Sequence, residues 1–194
     1  MVKKQRNYSS SKNFPQQTHF IGVLASEDIT RTLEDCRRYM REVYGCRAGQ
    51  ATPIHVTLIP PFFLPEEYTT EDLACAIDDA ILIKDLGFTA HIKNFDAFSD
   101  RTLFAKVLTD EKWDTLRDAV YSSVLKAVPH CIKKDTRPFI PHLTVANRDV
   151  PFGVITKALQ VMNELQVEED FPVDNITIFE RQGTKWVDAV SLAL

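Results

Sequence analysis

Two short segments of the sequence each place a histidine and a threonine two positions apart. They read PIHVTL at 53–58 and PHLTV at 141–145. Side chains alternate between the two faces of a β-strand, so the histidine and threonine of each segment share one face and apolar residues take the other. Two such strands side by side would line one cleft with two imidazoles and two hydroxyls. These groups are suited to general acid–base chemistry on a phosphate ester.

His55 and His142 are therefore the candidate catalytic residues. The pKa of an imidazole lies near neutrality, so one ring can take a proton from the attacking water or hydroxyl while the other gives a proton to the departing oxygen. The sequence leaves open which ring takes which role. Thr57 and Thr144 are predicted to donate hydrogen bonds to the non-bridging phosphate oxygens. Such a site needs no metal ion and no other cofactor.

The alternative interpretation is that each histidine is a half-buried strand residue and each threonine a good strand former. One copy of so short a pattern is better explained in that way, because short patterns often occur by chance. Two copies, each preceded by a proline and each in a predicted strand, favour the functional interpretation.

Two further residues are predicted to bind substrate. Arg137 lies five positions before His142 and is expected to contact a phosphate or a ribose; the alternative is a solvated turn residue. Phe62 or Phe63 is expected to stack on a base, and the alternative is a hydrophobic plug against the second helix. No metal ligands are assigned, because the pair His130-Cys131 with His142 lacks further ligands at a fitting spacing.

Composition indicates a single globular domain. The chain has 194 residues, of which 44% are hydrophobic and 26% charged, and its net charge of −4 leaves no broad basic face for long nucleic acid. A small phosphorylated ligand or an RNA end remains compatible with that charge. The four cysteines are scattered, which favours reduced thiols in a cytoplasmic protein. No stretch is apolar for long enough to span a membrane, and we expect a monomer.

The predicted elements occur in a repeated order. Residues 1–18 carry basic but no acidic residues and are expected to form a disordered polar tail, and residues 19–194 to form the domain. Besides the two motif strands, strands are predicted at 19–24, 88–98, 102–108, 173–180 and 185–194, and helices begin near residues 26, 69, 110 and 151. Pro60-Pro61 is expected to end the first motif strand, and Glu168-Glu169-Asp170 to form a solvated turn.

This order reads as a duplicated unit. Each half contains a helix, a motif strand, a second helix and a strand pair. We therefore predict an α+β fold: a bilobal, pseudo-two-fold arrangement of antiparallel sheets with helices packed outside. Pseudo-symmetry would bring the two motif strands together in one central cleft.

The paired motifs also resemble those of a known family. The His-x-Thr pattern occurs twice, 87 positions apart (142 − 55), and resembles the two-histidine phosphoesterase superfamily, within it the bacterial 2′-5′ RNA ligase and cyclic phosphodiesterase group. Arg137-Pro138-Phe139, ahead of the second motif, is similar to that group's lead-in. The segment Ile59-Pro60-Pro61-Phe62-Phe63 departs from the lysine-phenylalanine-leucine-glycine type that usually follows the first motif there.

The resemblance implies a fold of two small sheets that face a cleft containing both histidines and both threonines. It also implies metal-independent opening of a 2′,3′-cyclic phosphate, or cleavage of a 2′-5′ linkage, in an RNA terminus or a small nucleotide. Hydrolysis is expected to dominate over ligation because water is abundant. A non-catalytic nucleotide or RNA-end binding module is the alternative, and a zinc hydrolase that uses His55, His142 and a carboxylate is a third.

Overall fold

The protein is described by a computed structural model that covers residues 16–82, 85–133, 135 and 137–194. Within these residues the strands are β1 (His19–Leu24), β2 (His55–Phe62), β3 (Phe88–Phe98), β4 (Thr102–Val107), β5 (His142–Asn147), β6 (Glu168–Val173), β7 (Asn175–Gln182) and β8 (Lys185–Ala193). The helices are α1 (Glu27–Tyr44), α2 (Thr70–Ile81), α3 (Glu111–Ala127) and α4 (Val154–Asn163). The fold is α+β, as predicted.

All eight strands form one hydrogen-bonded sheet in the order β6-β3-β4-β5-β2-β1-β7-β8, and every neighbouring pair is antiparallel. The two motif strands, β5 and β2, are adjacent at its centre. In the described part of the chain they pair through Val56 and Leu143 alone, whereas β2 pairs along its length with β1, and β5 with β4. The sheet therefore consists of two four-stranded halves that meet at the motif strands.

Each motif strand is covered by a helix from the other half of the sheet. Helix α1 connects β1 to β2 but packs against β5, and α3 connects β4 to β5 but packs against β2. The apolar residues of the motif strands face this helical layer; Val56, Leu58, Leu143 and Val145 are each at most 1% exposed. None of the helices in the described residues has both the length and the apolar character needed to cross a bilayer.

The helix boundaries have local causes that the sequence predicts. Thr69 caps α2 in a capping box with Asp72, in which each side chain accepts a hydrogen bond from the other residue's backbone N–H. Asp110 caps α3 by accepting from the N–H of Lys112 at 2.9 Å. Gly45 ends α1 in a left-handed conformation, with φ 75°.

The predicted end of the first motif strand at Pro60-Pro61 is wrong, since β2 continues to Phe62. Between the pairings His19–Phe62 and Ile21–Ile59, β2 has one more residue than β1. The two prolines lie in this bulge, where the ladder does not need their missing N–H groups.

The acidic segment at 168–170 is also not a turn but the start of β6, an edge strand paired with β3. Two of its three acidic residues lie opposite basic ones, Asp170 opposite His91 and Glu168 opposite Lys93. This cross-strand charge pairing is a tertiary effect, so local composition points to a turn instead.

Several boundaries differ by a few residues, among them those of β7, which is Asn175–Gln182 rather than 173–180. Helix α4 begins at Val154 rather than at Pro151, because Gly153 precedes it in a left-handed conformation with φ 75°. Residues 1–15 of the predicted tail lie outside the described residues. Thr18 is part of the fold, since its N–H donates to the carbonyl of Phe62 and its carbonyl accepts from the N–H of Arg181, each at 2.8 Å.

Candidate functional site

The antiparallel register brings the four motif side chains onto one face of the sheet. Because Val56 lies opposite Leu143, His55 lies opposite Thr144 and Thr57 lies opposite His142. Residues directly opposite have Cβ atoms about 4.5–5.5 Å apart, and diagonal neighbours such as the two histidines are separated by about 7–8 Å or slightly less. All four side chains are half-buried. The four side chains therefore share one face of the sheet where its two halves meet.

The two imidazoles make the same backbone hydrogen bond. Nδ1 of His55 lies 2.7 Å from the carbonyl oxygen of Pro53, and Nδ1 of His142 lies 2.7 Å from that of Ile140. A carbonyl oxygen only accepts, so each Nδ1 carries the proton and donates it. The remaining nitrogen, Nε2, has no hydrogen-bond partner among the described residues. Each ring therefore keeps a lone pair available to a ligand.

Each imidazole is packed against two phenylalanine rings. The distances between ring centroids are 4.7 Å (Phe20) and 5.1 Å (Phe179) for His55, and 4.9 Å (Phe98) and 5.1 Å (Phe104) for His142. These aromatic contacts restrict the orientation of each imidazole and give it an apolar wall.

Burial lowers the pKa of both histidines. The pKa of His55 is lowered to about 4, mainly by desolvation and further by the cation of Arg37 and the neighbouring His142, while the hydrogen bond to the carbonyl of Pro53 opposes the shift. Desolvation also lowers the pKa of His142, opposed by its bond to the carbonyl of Ile140. Both imidazoles are therefore neutral at pH 7 in the free protein.

The hydroxyls of Thr57 and Thr144 have no hydrogen-bond partner among the described residues. Each lies on the same face as the histidine two positions before it, as the sequence predicts. The two hydroxyls can therefore donate to an anion in the cleft without first breaking an internal bond. Within the described residues, no three His, Cys, Asp or Glu side chains are grouped so that they could hold a metal ion.

Gly22 of β1 is required by the close approach of β1 to the first motif strand. It lies opposite Thr57 in the register. A Cβ atom at this position would lie 2.6 Å from the carbonyl oxygen of Val56 and 3.3 Å from Cδ2 of His55. Only glycine fits there without displacing the backbone of β2 or the imidazole.

Arg137 is placed apart from this cluster. It is 84% exposed, and its guanidinium binds the carboxylate of Asp135, with Nη2–Oδ2 at 2.6 Å and Nε–Oδ1 at 3.0 Å. No contact joins Arg137 to the four motif side chains within the described residues. Its position is that of a solvated turn residue whose charge is already paired.

Phe62 does not offer a stacking surface. It is 6% exposed and belongs to the hydrophobic core, with its ring 6.1 Å from that of His19. His19 is in turn hydrogen-bonded to the hydroxyl of Thr70, the first residue of α2. The prediction of a base platform is therefore corrected: the chain bulges at Pro60-Pro61, and Phe62 turns into the core as a hydrophobic plug.

Three residues near the cleft were not predicted from the sequence. Lys106 of β4 lies opposite His142 and is exposed. Trp186 of β8 contacts Phe20 edge to face, with ring centroids 5.0 Å apart. The positions of both follow from strand register, which no local pattern indicates. Arg37 could have been found from the sequence, because it is a charged residue within the apolar stripe of α1.

Comparisons with known proteins identify a matching family and several solved structures with a similar fold. The family model described as the 2′-5′ RNA ligase superfamily matches residues 25–185. No match was found among curated proteins.

Several solved structures share the fold at low sequence identity. The protein TT0787 of Thermus thermophilus has a TM-score of 0.63 and 19% identity over 91% of this chain and 97% of its own. E. coli LigT, complexed with 3′-AMP, has a TM-score of 0.59 and 18% identity over 92% of this chain and 98% of its own. The MHV ns2 PDE domain has a TM-score of 0.57 and 15% identity over 86% of this chain and 100% of its own.

Proposed function

The chain belongs to the 2′-5′ RNA ligase superfamily, a group of two-histidine phosphoesterases, and we propose that it is a metal-independent hydrolase of 2′,3′-cyclic phosphates or 2′-5′ phosphodiester bonds. Its substrates are RNA ends or small nucleotides. The observation that supports this most directly is the register Val56–Leu143, which puts two imidazoles and two free hydroxyls around one space.

The chemistry follows from the state of each imidazole. One neutral ring takes a proton from water at Nε2 as the water oxygen attacks phosphorus. The bond from phosphorus to the 2′ or 3′ ribose oxygen breaks, and that oxygen receives a proton from Nε2 of the other ring, which must be an imidazolium. His55 and His142 share these two roles. One ring gains a proton from water and the other loses a proton to the ribose oxygen. The total number of protons on the two rings is therefore the same before and after the reaction.

The proton donor is generated when substrate binds. Both imidazoles are neutral at pH 7 in the free protein, because burial lowers the pKa of each. A phosphate anion between them favours the charged form of one ring, because opposite charges stabilise each other in a site of low dielectric. The carbonyl at each Nδ1 continues to accept its hydrogen bond in the imidazolium form. Thr57 and Thr144 then donate to the non-bridging oxygens as negative charge increases there.

The direct test is a product screen in the presence of EDTA. The substrates are the four nucleoside 2′,3′-cyclic monophosphates, 2′-5′ oligoadenylate and an RNA with a cyclic-phosphate end. A 3′-5′ oligoadenylate of the same length serves as the matched control and is expected to remain intact. Full activity in chelator supports the proposal, and strict dependence on an added metal ion would overturn the mechanism. Metal analysis of the purified protein tests the zinc-hydrolase alternative.

A non-catalytic nucleotide or RNA-end binding module is the second candidate. The observation that favours it is the lowered pKa of both histidines, which leaves the free protein without a proton donor at pH 7. This candidate predicts saturable binding of 3′-AMP or a cyclic nucleotide without turnover. Calorimetry followed by chromatography of the same sample distinguishes the two functions.

A further inference from the structure

Arg37 is a buried cation on α1 that reaches Thr144 of the second motif segment and Thr52, the residue directly before the first motif segment. It is 3% exposed and is part of the buried face of the helix. Nη1 donates to the carbonyl of Thr52 at 2.7 Å and to the carboxylate of Glu34 at 2.8 Å. Nη2 donates to the carbonyl of Thr144 at 3.1 Å, and Nε lies 3.4 Å from the same oxygen.

The two carbonyls belong to the parts of the chain that hold the catalytic candidates. Thr144 is the threonine of the second motif. Thr52 directly precedes Pro53, whose carbonyl accepts the Nδ1–H of His55. In the described residues β2 and β5 pair through Val56 and Leu143 alone, so the guanidinium is a second link, between the second motif segment and the residue directly before the first.

We propose that Arg37 is a positioning residue that sets the separation of the two motif strands and thereby the distance between His55 and His142. This inference rests on the proposed function, in which the two imidazoles act on one phosphorus atom. A planar fork of five donors can bind two carbonyls and a carboxylate together, whereas an ammonium group is a point charge that cannot span them. The identity of the residue therefore matters as well as its charge.

Arg37 also acts on His55 through its charge. The charged or titratable groups that act on the pKa of His55 are Arg37 from α1 and His142 from β5. The residues that pack on the imidazole from β1 and β7, Phe20, Gly22 and Phe179, carry no charge. Removal of the Arg37 cation should therefore raise the pKa of His55, and this shift reports whether the guanidinium lies close enough to the imidazole in solution to act on it.

The test compares R37K and R37M with R38M. Arg38 is the next residue of the same helix, is 55% exposed and pairs with Asp35, so R38M removes a charge without touching either motif segment. We expect R37M to lower kcat by about 10- to 100-fold with a smaller change in KM, because small errors in the placement of reacting groups have effects of that size. R37K should lose part of kcat and keep the histidine titration of the wild type. R38M should match the wild type in kcat and in the titration of the histidines.

An NMR titration of the free protein supplies the second readout. In R37M the pKa of His55 should rise while R37K leaves it unchanged. A folded R37M with kcat within about twofold of wild type, or with an unchanged His55 titration, overturns the proposal, since a displaced imidazole should cost more than that. If R37M does not fold, R37K is the deciding variant, because an R37K protein with the kcat of the wild type would also overturn the proposal. If the wild-type protein turns over none of the screened substrates, the proposed function is wrong. The NMR titration then still tests whether Arg37 acts on His55.

Discussion

At the scale of single residues, the two imidazoles share their backbone bonding but differ in their electrostatic surroundings. Each donates Nδ1–H to the carbonyl two positions earlier at 2.7 Å. Desolvation lowers the pKa of both rings, and Arg37 adds to this only at His55, whose pKa falls to about 4. A duplicated motif has thus produced two chemically different groups. Acid–base pairs in enzymes commonly depend on such a difference.

Replacement of either histidine should abolish most of the activity. We expect His55→Ala and His142→Ala each to lower kcat/KM for a 2′,3′-cyclic nucleotide by at least about 100-fold, because a positioned proton-transfer group contributes about 10²–10⁴. His91→Ala is the control, since His91 pairs with Asp170 at the sheet edge. More than a tenth of wild-type activity in either single variant would contradict the assignment.

Loss of a motif hydroxyl should have a milder effect. Thr57→Val and Thr144→Val keep the shape of the side chain and remove the donor, and we expect a loss of about 10- to 100-fold in kcat/KM, since hydrogen bonds to charged groups contribute about 1.5–3 kcal/mol. Thr57→Ser and Thr144→Ser, which retain the donor, should recover most of it. Equal activity of the Val and Ser variants would show that the hydroxyls do not bind the phosphate.

The buried histidines should make stability depend on pH. The pKa of His55 falls from 6.5 to about 4 on folding, so between these values the unfolded chain binds a proton that the folded protein does not. Its contribution is present above pH 6.5 and is lost as the pH falls towards 4, by about 3 kcal/mol at most. The lowered pKa of His142 acts in the same direction. Urea unfolding at about pH 7 and about pH 4.5 should show a smaller difference for His55→Gln than for wild type; equal differences would refute this.

At the scale of secondary-structure elements, the site depends on strands that are held by helices from the opposite half. Arg37 of α1 donates to the carbonyl of Thr144 in β5, and Arg117 of α3 donates to the carbonyl of Leu58 in β2, with Nε–O at 3.3 Å. Helix α1 thus hydrogen-bonds to β5 although it directly precedes β2, and α3 hydrogen-bonds to β2 although it directly precedes β5. The two halves are therefore interlocked, and displacement of one helix would affect the opposite half of the site.

The approach of β1 to β2 can be tested at Gly22. A Cβ atom would lie 2.6 Å from the carbonyl oxygen of Val56. We expect Gly22→Ala to lower the free energy of unfolding by about 1–3 kcal/mol, the usual effect of overpacking, and to lower kcat by displacing His55. Gly87→Ala is the matched control, because its Cβ would meet its nearest neighbour at 3.5 Å. A Gly22→Ala protein with the stability and kcat of the Gly87→Ala protein would refute the steric argument.

At the scale of the whole molecule, the order of the strands brings the two motifs together. Two four-stranded halves meet at β2 and β5, so His55 and His142, 87 positions apart (142 − 55), lie on the same face of the sheet. The net charge of −4 is consistent with a ligand that contacts a few local donors rather than a long basic surface. The substrates that we propose, RNA ends and small nucleotides, need only such a local site.

The sequence by itself determined the features that depend on neighbouring residues. The alternation of His55 and Thr57 with apolar residues predicts their shared face, and capping residues such as Thr69 and Asp110 predict where helices begin. The repeated element order predicts the meeting of the two motif strands. These features arise from local backbone geometry and short-range hydrogen bonds, which a sequence pattern records directly.

Only the tertiary structure decided the features that depend on contacts between distant segments. These are the register that places Val56 opposite Leu143, the bulge that turns Phe62 into the core, the edge strand β6 and the reach of Arg37 to Thr52 and Thr144. Each results from packing and charge pairing between residues far apart in the chain. Their energies depend on which surfaces meet in the folded state, and no local pattern contains that information.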